Sequence, residues 1–126
     1  MSNEIETLHD STHRKDIDRV GLSASSRLAL DELVLDGHFK DSISCYRFAV
    51  ALAIKENLDI QNHKVERPAG HMYLISQFDP ESAFAAVIEE LMPEYRDEKY
   101  RALEKYADLG TILLNEKVNQ SGSIIF

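Results

Sequence analysis

The stretch CYRFAVALAI, Cys45 to Ile54, decides how this chain folds. It holds ten residues, of which Arg47 alone is charged. A helix apolar around its whole circumference has no face suited to water and has to be enclosed on all sides. The run therefore reads as the central helix of a domain. It is too short to cross a bilayer, which takes about 20 apolar residues, and Arg47 interrupts it. A chain of 126 residues has few other elements with which to surround such a helix, so a subunit interface is expected and the assembly reads as a homo-oligomer.

The residues on either side place this helix in a helix-turn-helix. Upstream, RVGLS (Arg19–Ser23) alternates and reads as an edge strand with Val20 and Leu22 inward, Arg19 and Gly21 outward. Ser23 is expected to cap the next helix through its hydroxyl. That helix, ASSRLALDELVL, sets Leu30, Leu33 and Val34 at i, i+3 and i+4, with Leu28 and Leu35 widening the apolar face. Asp36-Gly37 ends it, glycine taking the left-handed position after the helix. Asp41 or Ser42 then caps SISCYRFAVALAIKEN.

Downstream, DIQNHKVERPAG (59–70) reads as a long loop and HMYLIS (71–76) as a short extended segment. Asp79-Pro80 is expected to open a third helix as N-cap and first residue, and Pro93 to stop or kink it. A fourth helix follows, with Tyr100, Leu103, Ala107, Gly110 and Leu114 on one stripe. The expected fold is mainly α: a helix-turn-helix core around one enclosed apolar helix, a short N-terminal β-ribbon and two further C-terminal helices. Residues 1–15 form a polar arm, 16–118 a single domain and 119–126 a tail.

Composition excludes several classes. Hydrophobic residues make up 44% and charged residues 29%, as in a globular protein. The net charge is −8, shared as −3 over residues 1–65 and −5 over 66–126, so neither half has the basic excess of a strong phosphate binder. Any contact with nucleic acid needs a local patch. The opening MSNEIETLHD is acidic and lacks the apolar core of an export signal. The single cysteine cannot form an internal disulfide, and the chain reads as cytoplasmic.

Few residues form a constellation that does chemistry. Of five histidines only His9 and His13 stand at i, i+4, without a third ligand nearby, so no metal is expected. Cys45 lies in the apolar run, where burial opposes the thiolate. The pairs Asp31-Glu32, Glu89-Glu90 and Asp97-Glu98 fall on polar helix sides, where solvation is the ordinary role. No phosphate loop, nucleophile elbow or Ser-His-Asp spacing is visible. Neither catalysis nor a cofactor is expected.

Arg47 is a better object. Buried without a partner, its guanidinium would cost several kcal/mol. Asp31 or Glu32 can supply that partner, or Arg47 reaches carboxylates or carbonyls of a neighbouring subunit and sets the register of helices or protomers; the other reading is direct contact with a DNA phosphate. Gly110 also needs a reason, since a mid-helix glycine costs about 1 kcal/mol relative to alanine. It is expected to admit a close helix of this domain or of a second subunit.

The order strand, helix, glycine turn, helix resembles the ribbon-helix-helix DNA-binding proteins, in RVGLS, ASSRLALDELVLDG and FKDSISCYRFAVALAIK. That resemblance implies a strand paired across a dimer, its outward side chains reading the major groove. A second resemblance is to small proteins of bacterial DNA phosphorothioation (Dnd) systems. It rests on LSASSRLALDEL and GHFKDSISCYRFAVALAI, followed by the element Tyr106, Ala107, Gly110 and Leu114, and touches residues 20–56 and 104–114. It implies a non-catalytic accessory of a DNA-modification or phage-defence locus.

Two functional expectations follow. The first is an accessory or scaffold protein working through contacts with itself and with other defence-system proteins, with Arg47, Tyr106, Gly110 and Leu114 as interface or register residues. The second is a ribbon-helix-helix-like DNA-binding regulator in which Arg14, Lys15 and Arg19 form the local positive patch and Lys40 meets a phosphate.

Overall fold

Val20 and Leu22 enter the core fully buried, as their alternation requires. The computed structural model describes residues 15–66 and 68–122; Arg14, His9, His13 and the stretch 123–126 lie outside them. The elements run β1 (Arg19–Val20), α1 (Ala24–Leu35), α2 (Ser42–Lys55), β2 (Tyr73–Leu74), α3 (Ile75–Phe78), α4 (Ala83–Leu91), a 3-10 turn (Pro93–Tyr95) and α5 (Lys99–Ser121). The fold is mainly helical with a two-stranded antiparallel ribbon. Among the described residues no helix is long and apolar enough to cross a membrane.

The ribbon is made within one chain. β1 pairs with β2, Arg19 opposite Leu74 and Val20 opposite Tyr73, whereas the ribbon-helix-helix arrangement pairs β1 with its own copy. Arg19 is exposed as expected, but Gly21 is buried. Its N–H donates to Glu104 and its carbonyl accepts from the Tyr46 hydroxyl.

Helix α1 buries Leu30 and Leu33 but leaves Leu28 67% and Leu35 85% exposed. At 100° per residue the latter two stand opposite the buried pair, and the helix meets the rest of the protein from one side. Gly37, at φ 84°, closes it: the Gly37 and His38 amides return to the carbonyls of Val34 and Leu33 at 3.0 Å each. This pattern needs a left-handed residue, which glycine supplies without a Cβ clash. Asp41 then caps α2 by accepting from Ser44 N–H at 2.9 Å.

Helix α2 buries Cys45, Tyr46, Ala49, Val50, Leu52 and Ala53. Its enclosure comes from α5, which also packs against α1, α4 and β1. Arg47 and Phe48 remain half-buried and Ala51 exposed. The two long helices cross at Gly110, where a Cβ would lie 2.1 Å from the Ala49 carbonyl oxygen and 3.1 Å from the Ala53 Cβ. The close helix is therefore one of this domain, and its backbone is what excludes a side chain at 110.

Two helix starts differ from expectation. Pro80 does not begin α4; Ser82, at φ 58°, intervenes and the helix starts at Ala83. Asp79 still accepts from the Phe84 and Ala85 amides, at 3.0 Å each. Helix α5 begins at Lys99, and Asp16, distant in sequence, satisfies its Tyr100 and Arg101 amides at 2.9 and 3.1 Å. It continues past 118 to Ser121.

Candidate functional site

The densest polar arrangement runs along one side of α5. Glu104 and Asp108 stand one helical turn apart and are 9% and 3% exposed. A buried carboxylate needs hydrogen-bond donors, and the segment joining β1 to α1 provides them. Gly21 N–H donates to Glu104 Oε2 at 2.8 Å. Ser23 N–H and its hydroxyl both donate to Asp108 Oδ1 at 2.8 Å. His63, from the long loop, meets Asp108 Oδ2 at 2.8 Å through Nε2. Ser26 adds a bond from its hydroxyl to the Asp108 carbonyl at 2.9 Å.

Serine, histidine and aspartate thus meet here, but in the wrong order for nucleophilic catalysis. In a triad the imidazole stands between the hydroxyl and the carboxylate and removes the hydroxyl proton. Here the carboxylate stands in the middle, and the Ser23 hydroxyl donates to it directly. That same bond removes Ser23 from its expected role, since its side chain makes no capping bond to α1.

Burial, with the nearby Asp108 charge, raises the Glu104 carboxyl to about 7, against the lowering effect of the Gly21 bond. Burial likewise pushes the Cys45 thiol up to about 12, which leaves it a poor nucleophile at neutral pH. Desolvation, with the charges of Glu104, Tyr73 and Asp108, raises the Tyr46 phenol. Among the described residues no group of three or more His, Cys, Asp or Glu side chains could hold a metal ion.

Arg47 pairs with neither Asp31 nor Glu32. Its Nε donates to the Phe78 carbonyl at 3.0 Å and a terminal nitrogen donates to the Gln77 carbonyl. It closes the C-terminal end of α3, where unsatisfied carbonyls and the helix dipole favour a cation. Asp31 instead lies 3.6 Å from Arg27, a nearly buried arginine that also donates to the His71 carbonyl and sits over the Tyr73 ring. The remaining register candidates turn inward within this chain. Leu114 is fully buried and Tyr106 is 4% exposed, its hydroxyl donating to Met92 Sδ at 3.0 Å.

Of the basic candidates, Lys15 and Arg19 are brought together along one cleft with Arg101, which sequence reasoning did not single out. Lys40 is exposed in the turn between α1 and α2 and does not line that cleft. The adjacent acid pairs are exposed or half-exposed. Among the described residues the buried carboxylates are Asp79, Glu104 and Asp108. The signal available for the last two was their i, i+4 spacing directly beside the apolar stripe of α5.

Compared with models of known protein families, with curated proteins and with solved structures, the chain matches none.

Proposed function

We propose that this chain is a non-enzymatic accessory or scaffold protein acting through protein contacts, including contacts between copies of itself. The resemblance to Dnd-system proteins implies partners from a DNA-modification or defence system. The observation that carries the reading is the outward placement of Leu28 and Leu35, 67% and 85% exposed on one face of α1. Covering a leucine is worth about 1.5–3 kcal/mol, so a partner on this face gains substantially. The polar groups that could have argued for catalysis support the same reading. Ser23, Glu104, Asp108 and Asp79 hold one another or backbone amides in place.

The second reading, a DNA-binding regulator, is favoured by Lys15, Arg19 and Arg101 along one cleft. Asp16 and Asp18 line the same cleft, and β1 has its strand partner within the chain. Light scattering on a size-exclusion column, with and without a short duplex, separates the two. An oligomer indifferent to the duplex is expected. A monomer that binds the duplex at low salt and releases it as salt rises would instead establish phosphate contacts.

A further inference from the structure

The second half of α2 carries an apolar groove of about 180 Å³, lined by Phe48, Ala51, Leu52 and Lys55. Leu52 is buried, Phe48 half-buried and Ala51 exposed. The Phe48 ring packs on Phe39, centroids 5.4 Å apart, which holds that wall in place. Lys55, exposed in the last turn, adds an aliphatic stem and, among the described residues, the one charge of the lining. Glu56 follows it but does not line the groove. Small-molecule sites begin at roughly 300 Å³, whereas a cavity of about 150 Å³ holds a benzene-sized group. The groove therefore suits a single apolar side chain.

The outer face of α1 has such a side chain to offer. Leu35 is the most exposed of the large apolar residues described, and Leu28 lies two turns earlier on the same stripe. Glu32 stands one turn before Leu35 and is exposed. Its neighbour Asp31 is drawn to Arg27, but neither Glu32 nor Lys55 has an ion pair among the described residues. Copies of a chain of net charge −8 repel one another, so a contact between them is favoured where a carboxylate meets a cation. An acidic ridge tipped by a leucine and an apolar groove rimmed by a lysine are complementary in both shape and sign.

We propose that Leu35 of one copy enters the Phe48, Ala51 and Leu52 groove of a second copy, with Glu32 of the first meeting Lys55 of the second. This rests on the self-association reading and names the surface that receives α1. Each copy carries both halves, so the contact is made twice where a dimer closes.

The test is light scattering over a concentration series, on the full chain and three variants of it. The native chain is expected to associate. Ala51→Glu fills the groove from an exposed position and should weaken association by about tenfold or more, with helix content and urea midpoint unchanged. Lys55→Glu sets two carboxylates against each other and should weaken it by about tenfold. Adding Glu32→Lys to that variant restores the pair in reverse and should bring association back to within about threefold of native. A native oligomer indifferent to Ala51→Glu overturns the groove and leaves self-association standing. So does a reversed pair that associates no better than Lys55→Glu alone. A native chain that stays monomeric overturns both readings, and the groove then serves an occupant other than a second copy.

Discussion

Glu104 is the residue at which this fold holds a cost. A carboxyl held near 7 when folded and near 4.5 when unfolded binds more protons in the folded state between those values. Stability therefore falls as pH rises through that window, and the loss is complete above about 7. The shift corresponds to at most about 3 kcal/mol, reduced by solvent screening because the group borders a cleft. Glu104→Gln keeps an acceptor for the Gly21 amide and removes the charge. It should match the native chain near about pH 4.5 and exceed it by about 1–3 kcal/mol near about pH 8, measured by urea unfolding. A native-minus-variant difference that does not change with pH would remove Glu104 from this role.

At the scale of elements, the crossing of α2 and α5 controls the core. Intrinsic propensity alone would make Gly110→Ala stabilising by about 1 kcal/mol. The 2.1 Å approach of a Cβ to the Ala49 carbonyl oxygen reverses the sign, since backbone cannot move aside as a flexible side chain can. Overpacking should cost about 3 kcal/mol or more, lowering the urea midpoint sharply. A stabilised Gly110→Ala protein would mean that the two helices do not cross there. The short α3 depends on a different kind of contact: Arg47 serves its C-terminal carbonyls, so a charged residue inside an apolar run joins two elements through backbone acceptors.

For the whole molecule, the outer face of α1 is where assembly is expected. Replacing Leu28 and Leu35 with lysine leaves Leu30 and Leu33 in the core and should leave the monomer's thermal transition within about 1 kcal/mol of stability. On the scattering column the assembly expected of the native chain should be lost. A variant that keeps the native mass would place the contact elsewhere on the protein.

The sequence by itself determined the helix-turn-helix, because its signals are local: apolar periodicity over 24–35, the continuous apolar run over 45–54, the glycine at 37 and the aspartate at 41. It also marked Gly110 as a close approach, since a mid-helix glycine carries a known penalty. What it did not decide depends on residues far apart in the chain. Asp16 serves the start of α5, Arg47 the end of α3, and Ser23 and His63 converge on Asp108. Helical spacing sets Leu28 and Leu35 opposite Leu30 and Leu33, but only packing decided which of the two sides is covered. Local propensity specifies which segments coil; only packing settles which face is covered and which buried polar group finds its donor, because both depend on what arrives from elsewhere in the chain.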